Sequence, residues 1–223
     1  MNKIVVLVAG GSGMRMGSAL PKQFMLLQGK PVFIHAIDAF IKAYADIDII
    51  LVLPDIYIEH AKQCLNDFGK SLDNIKIVPG GNTRFDSVKN GLTQVHNNHI
   101  VFIHDAVRCL VSVELIRRCA ESSMKEGSAI PVLPLKDSIR EMLNDGSSRP
   151  IDRSSIRIVQ TPQTFVSDNI KDAFNLNYNP SFTDEATVLE AAGYKVNLVE
   201  GEEGNIKITY PADIDFASWK LSQ

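Results

Sequence analysis

Cysteine is scarce: Cys64, Cys109 and Cys119 are the whole complement. No two of them have the spacing of a zinc knuckle or a Cys-x-x-Cys redox pair, and an odd, thin count does not build a disulfide scaffold. Reduced thiols in a cytoplasm are the expectation. Long apolar runs are missing too. No segment nears the ~18 consecutive apolar residues of a membrane span. The apolar stretch Ile4–Ala9 is shorter than the ~7–15 residues of a signal-peptide core. It reads as a first strand, and no membrane partner is expected. An excess of one charge is also missing: 23 Lys and Arg stand against 26 Asp and Glu, a net charge of −3. Nucleic-acid binders carry a basic excess, so that partner is not expected. A small anionic ligand remains open, because it needs only a few local cations.

What the chain does have is alternation. Its 223 residues suit a single α/β domain spanning 1–223. Strand-like runs at Lys3–Ala9, Ile47–Leu53, Ile75–Val78, Ile100–Ile103, Ala129–Leu133 and Val196–Val199 are separated by stretches of helical periodicity. The periodic stretches include Phe33-to-Tyr44, Ile56–Phe68, Phe85–Val95, a Ser112-capped run to Glu126, Ser167–Leu176, Thr183–Ala192 and a last helix opened by Pro211. This order predicts a Rossmann-like, mostly parallel sheet with helices on both faces. Between Pro134 and Ile158 the pattern changes to polar, locally β-like sequence with a turn at Asn144-Asp145-Gly146. We read 134–158 as a projecting β-hairpin arm. Such an arm buries too little to be stable alone, so it is expected to pack on a second subunit of a homodimer.

Four segments can carry chemistry. The first, Ala9-Gly10-Gly11-Ser12-Gly13-Met14-Arg15-Met16-Gly17, follows the first strand, and Lys22 comes shortly after. Glycines let backbone N–H groups approach a phosphate, and two loop cations suit a triphosphate. The dinucleotide fingerprint is not met, because Met16 stands where its third glycine belongs, and no Gly-Lys-Ser/Thr follows for a Walker A loop. The second, Gly80-Gly81-Asn82-Thr83-Arg84-Phe85-Asp86-Ser87, again links a strand to a helix, and it can offer hydrogen bonds to a base edge or simply cap the helix. The third is His104-Asp105-Ala106-Val107-Arg108, where a carboxylate at a strand's carboxyl end suits Mg²⁺ beside phosphates. His104 is expected to be a packed residue. The fourth, Asn205-Ile206-Lys207-Ile208-Thr209, reads as a short β-like run carrying a further lysine.

In this order, AGGSGMRMG with PKQF, GGNTRFDSV, HDAVR, the arm, DRSS with QTPQTF, TDEA and EGEEGNIKIT span nearly the whole chain. The set resembles the 2-C-methyl-D-erythritol 4-phosphate cytidylyltransferase family of non-mevalonate isoprenoid biosynthesis. The resemblance implies CTP and a sugar-alcohol phosphate as substrates, Mg²⁺ or another divalent cation, and a homodimer whose arm crosses to the partner. It further implies that Arg15, Lys22 and Lys207 stabilise charge on the triphosphate. Ala9, Gly10, Gly11, Ser12, Gly13, Gly81, Asn82, Ser87, Asp105 and Ala106 would hold the nucleotide, with Asp105 near the metal. Arg108, Ser138, Arg153, Thr161 and Thr183 would place the sugar phosphate, Arg153 from the neighbouring subunit. Three positions depart from the common pattern: Asn82 replaces Asp, Ser138 replaces Thr, and Cys109 replaces Pro.

The chemistry needs no more than this. Transfer to a phosphate that is already ionised calls for positioning and charge stabilisation, without a Ser or Cys nucleophile. The alternatives are a ribitol 5-phosphate cytidylyltransferase, a nicotinamide-dependent oxidoreductase, which lacks the third glycine, and a non-catalytic CTP-binding regulator. The loop cations, Lys22 included, are expected to be exposed and of little consequence for folding.

Overall fold

The computed structural model describes residues 1–11 and 20–223. The chain runs through β1 (Asn2–Val8), a small hairpin of β2 (Leu26–Leu27) and β3 (Lys30–Pro31), α1 (Val32–Ala43) and β4 (Asp48–Leu53). Next come α2 (Ile58–Asp67), β5 (Ile75–Pro79), α3 (Arg84–Leu92) and β6 (His99–Asp105). Then follow α4 (Val113–Glu126), β7 (Ser128–Pro134), the arm strands β8 (Arg140–Met142) and β9 (Ser148–Pro150), β10 (Arg157–Val159) and β11 (Gln163–Val166). The chain closes with α5 (Ser167–Ala173), α6 (Glu185–Ala191), β12 (Leu198–Glu200) and α7 (Pro211–Leu221).

The main sheet has the order β10-β7-β11-β6-β1-β4-β5, with β12 also on β7. β1 pairs in parallel with β4 and β6, and β4 with β5. β12 is parallel to β7, whereas β10 and β11 run antiparallel to it. The two-residue period of a strand divides the core. Val5, Leu7, Ile49 and Leu51 point to the face covered by α1, α2 and α4. Ile4, Val6, Ile50 and Val52 point to the face covered by α3, α5 and α6. The mostly parallel sheet with helices on both faces is therefore as expected.

Local signals set the helix ends. Ser112 Oγ accepts the Leu115 N–H at 2.9 Å to open α4, which closes at Gly127 with φ of 84°. Thr83 and Asp86 form a reciprocal capping box at the start of α3.

Three features differ from the sequence expectation. β11 lies between β6 and β7 and was not anticipated, because Gln163-Thr164-Phe165-Val166 is short and half polar. β6 extends through Asp105, so the acidic residue is the last of the strand. Residues 205–209 form no strand; their polar groups go largely to side chains and to single loop bonds, such as Ile208 N–H on Val107 O at 3.0 Å. The arm is a β8–β9 hairpin, and no residue from 134 to 159 is buried.

The connections from β1 lead through β4 and β5 on one side, while β6 lies on the other. Open α/β sheets form their binding crevice at such a reversal, beyond the strand carboxyl ends. Here Val8 and Asp105 stand side by side in register. On the α3 face the sheet is approached closely: a Cβ on Gly91 would lie 2.6 Å from Val6 Cγ1 and 3.0 Å from Val52 Cγ2. Both valines are fully buried. Gly91→Ala should therefore lower stability by about 1–2 kcal/mol, overpacking outweighing the better helix propensity. The readout is a lower urea midpoint at unchanged slope; an equal or higher midpoint would show that α3 can lift from the sheet.

Candidate active site

Beyond the ends of β1, β5 and β6 lies a chamber of about 340 Å³ lined by Ala9, Gly10, Gly11, Lys22, Gly81, Asn82, Arg84, Ser87, Asp105 and Lys207, among others. Its floor is built by the turn before α3. Gly81 N–H donates to Ser87 Oγ at 3.0 Å, and that hydroxyl donates to Thr83 O at 2.9 Å. A Cβ on Gly81 would stand 2.3 Å from Asp86 Cβ, so the tight turn requires glycine there. Asn82 is exposed at the rim. Ala106 is fully buried beside this chamber, and its N–H is committed to Val8 O at 3.0 Å. Ser12, Gly13 and Arg15 lie outside the described residues.

Lys22 differs from expectation. It is 7% exposed, and its ammonium donates to Ile208 O at 2.9 Å. A buried, hydrogen-bonded lysine carries part of the fold as well as charge, because it pins the 205–209 loop beside the chamber. The neighbouring Gln23 donates to Ala9 O at 2.6 Å and steadies the glycine loop.

Asp105 is the centre of the charge arrangement. Its Oδ1 accepts from Arg84 Nη2 at 3.1 Å, and its Oδ2 lies 2.9 Å from Lys207 Nζ and 3.7 Å from Arg108 Nε. Burial alone would raise this carboxyl, but Arg84, Lys207 and Arg108 outweigh it and hold it far below the ordinary carboxylate range. Arg84 turns its other Nη to Glu185, which is 1% exposed. Sequence reasoning gave neither Arg84 nor Glu185 a role. Each is the first residue of a helix, where an arginine after a cap or an acid in the first turn reads as ordinary helix-end chemistry.

A second chamber of about 300 Å³ opens on the other side of this ridge, lined by Arg84, Asp105, Arg108, Thr161, Gln163, Thr183, Asp184 and Lys207, among others. Arg84, Asp105 and Lys207 thus face both chambers. The ridge rests on a buried polar chain. His104 Nε2 pairs with Arg108 O at 3.1 Å; a carbonyl only accepts, so this nitrogen carries the proton. Nδ1 then accepts from the Thr161 hydroxyl at 3.0 Å, and Thr161 Oγ1 accepts the Asp105 N–H at 3.1 Å. Burial lowers the His104 pKa to about 4, which keeps the imidazole neutral and the chain directional. Asn205 adds support: its side-chain Nδ2 donates to Thr161 O at 2.8 Å, and its main-chain carbonyl accepts from Arg108 Nη1 at 2.9 Å.

Arg108, Thr161 and Thr183 therefore come together at the second chamber. Ser138 and Arg153 do not: both are exposed on the arm, and Arg153 donates to Lys136 O within it. Cys109 packs with Leu27, Val32, Val107, Ile208 and Ala217; burial pushes its thiol up to about 12, which excludes it as a nucleophile. Among the described residues no group of three His, Cys, Asp or Glu side chains could hold a metal by itself. No helix among them is long and apolar enough to cross a membrane.

Comparison with known proteins places this geometry. The family model for 2-C-methyl-D-erythritol 4-phosphate cytidylyltransferase matches residues 3–223. The protein of that name from Bacteroides thetaiotaomicron is 44% identical over 98% of this chain and 99% of its own. The one from Clostridium botulinum is 40% identical, with 98% of both chains covered. Among solved structures, the Francisella tularensis 2-C-methyl-D-erythritol 4-phosphate cytidylyltransferase superposes with a TM-score of 0.82 at 29% identity, covering 99% of this chain and 100% of that one. These names favour neither the ribitol phosphate nor the nicotinamide alternative. The chain belongs to the 2-C-methyl-D-erythritol 4-phosphate cytidylyltransferase family.

Proposed function

We propose that this protein joins CTP to 2-C-methyl-D-erythritol 4-phosphate, forming 4-diphosphocytidyl-2-C-methyl-D-erythritol and pyrophosphate. One observation carries the reading: two chambers share a single ridge of Arg84, Asp105 and Lys207. CTP occupies the glycine-lined chamber, its cytosine against Gly81, Asn82 and Ser87 and its phosphates against the 9–13 loop, Arg15, Lys22 and Lys207. The sugar phosphate occupies the chamber of Arg108, Thr161 and Thr183. Its phosphate oxygen attacks the α-phosphorus, the bond to the bridging α–β oxygen breaks, and pyrophosphate leaves with that electron pair. Negative charge grows over the ridge, where Arg84 and Lys207 are already oriented and need little reorganisation. Lys207 keeps Asp105 and turns its remaining ammonium N–H groups to a phosphate oxygen.

Mg²⁺ would be held between Asp105 and the substrate phosphates. It is commonly bound by one or two carboxylates together with substrate phosphates, and Asp105 provides one carboxylate. The ion would neutralise phosphate charge there. Arg153 and Ser138 act on the second subunit of a homodimer, carried across by the arm. The exposed Met142 and Leu143 on that arm, 70% and 38% accessible, support a partner surface, and two-fold pairing is the commonest way to supply one. Three unpaired cysteines suit a cytoplasmic setting.

Pyrophosphate release tests the substrates. Turnover should require CTP with methylerythritol phosphate, and should be much slower with ribitol phosphate or with ATP. Comparable rates with ATP would remove cytosine recognition from the Gly81–Ser87 turn.

Lys207→Ala should lower kcat about 10²–10³-fold, as loss of one charge-stabilising donor does. Its side chain is 43% exposed, so the stability change should stay within about 1 kcal/mol. Lys22→Ala should lower both kcat and stability, because its ammonium also holds Ile208 O. Near-normal kcat in Lys207→Ala would make that lysine a surface charge.

Subunit mixing tests the arm. Lys207→Ala and Arg153→Ala proteins, each strongly impaired alone, should regain activity once subunits exchange, because one of two heterodimer sites then has both residues intact. No recovery despite proven exchange, or a monomer in sedimentation, overturns the shared site.

A further inference from the structure

Glu185 has no part in the reaction described above, yet its buried carboxylate supports the ridge. Local sequence puts it there. In Thr183-Asp184-Glu185-Ala186, Asp184 caps α6 by accepting the Thr187 N–H at 2.9 Å. The Gln163 amide clamps the same turn to β11, donating to Asp184 Oδ2 at 2.9 Å and accepting the Ala186 N–H at 2.8 Å. Gln163 in turn pairs with Ile103 of β6, on the strand that ends at Asp105. The first residue of α6 is thereby held against the first residue of α3. Arg84 divides its guanidinium, with Nη1 on Glu185 Oε1 and Nη2 on Asp105 Oδ1. Glu185 Oε2 is buried and has no hydrogen-bond partner among the described residues, so among them the ion pair with Arg84 is what sustains the buried charge.

We propose that Glu185 is a positioning residue for cytidylyl transfer, acting through Arg84 to keep Asp105 shared between Arg84 and Lys207. The proposal rests on the transferase reading above. While Arg84 is split between two carboxylates, it offers Asp105 a single Nη and leaves Oδ2 to Lys207. With a neutral residue at 185, the guanidinium is free to form a two-pronged pair with Asp105. That pair covers both oxygens, displaces Lys207, and withdraws Arg84 from the divide where the substrates meet. A purely structural Glu185 would only tie α6 to α3, and its loss would lower stability without altering the chemistry of the folded protein.

The test uses Glu185→Gln, which keeps the shape and removes the charge. Per folded protein, kcat should fall about 10–100-fold, as on loss of an outer partner of a functional group. KM for both substrates should stay within about threefold. Arg84→Gln should cost less on top of Glu185→Gln than it does in the parent chain, because both changes act on one guanidinium and their effects are not additive. A crystal structure of Glu185→Gln should show Lys207 Nζ beyond hydrogen-bond reach of Asp105, against 2.9 Å in the parent chain. This last readout holds whatever the acceptor proves to be. A protein that releases no pyrophosphate before any substitution would instead overturn the transferase reading. Unchanged kcat, losses that multiply with Arg84→Gln, or an unmoved Lys207 would each overturn the positioning role. Should Glu185→Gln fail to fold, Glu185→Asp, one methylene short, replaces it: a smaller fall in kcat at near-native stability supports the role, and native kcat at lowered stability ends it.

Discussion

A single carboxylate makes the cationic site possible. Arg84 begins α3, Arg108 follows β6, and Lys207 lies about a hundred residues further on in an irregular loop. Brought together alone, three cations in a partly dry crevice would repel one another, and the more strongly the lower the local dielectric. Asp105, at the end of β6 and next to Val8 in register, accepts from two of them and lies close to the third. It thereby assembles the positive field needed for phosphates before any phosphate arrives. Such preorganisation is what lets charged groups act with little reorganisation during transfer. Asp105 also keeps that field from becoming a permanent clash in the unliganded protein.

The surroundings of this carboxylate are held mostly by side chains. His104, Thr161, Gln160 and Asn205 are buried polar residues joined in a chain of hydrogen bonds from Asp105 to the 202–208 segment. Among the described residues Asn205 Oδ1 and Arg108 Nε lack a hydrogen bond, but the other links named here are made, and a largely satisfied network favours one arrangement. This explains how a loop with no regular structure can hold Lys207 in place. It also explains β11: an antiparallel strand set into a mostly parallel sheet brings Thr161 and Gln163 alongside β6, within reach of Asp105 and of the first turn of α6.

The arm follows the opposite logic. Core strands are buried on both faces, whereas 134–159 buries nothing within the chain. Its pairings include the β8–β9 ladder, the Arg149–Glu141 ion pair at 2.5 Å, the exposed Lys136–Glu203 ion pair and the short return of β10 onto β7. A two-stranded hairpin of this kind is marginal in water by itself, which is the physical ground for the second subunit proposed above.

The sequence alone determined a good deal. Apolar runs and helical periodicity located most of the strands and helices, because the two periods, near 2 and 3.6, come directly from backbone geometry. Glycine-rich turns after strands, with cations beside them, pointed to phosphate chemistry, and the ordered motifs pointed to the family. The arm was legible as a break in the pattern. Contacts between distant residues were not legible. Lys22 read as an exposed loop cation, but the fold buries it against Ile208, 186 positions away. Arg84 and Glu185 are 101 positions apart, and each looks locally like helix-end chemistry. β11 was hidden because its polar Gln163 and Thr164 are buried, against the usual rule for polar residues. Periodicity reports which face of an element is apolar. Only the tertiary structure decides which polar groups meet, because electrostatics and buried hydrogen bonds depend on distances that chain topology sets.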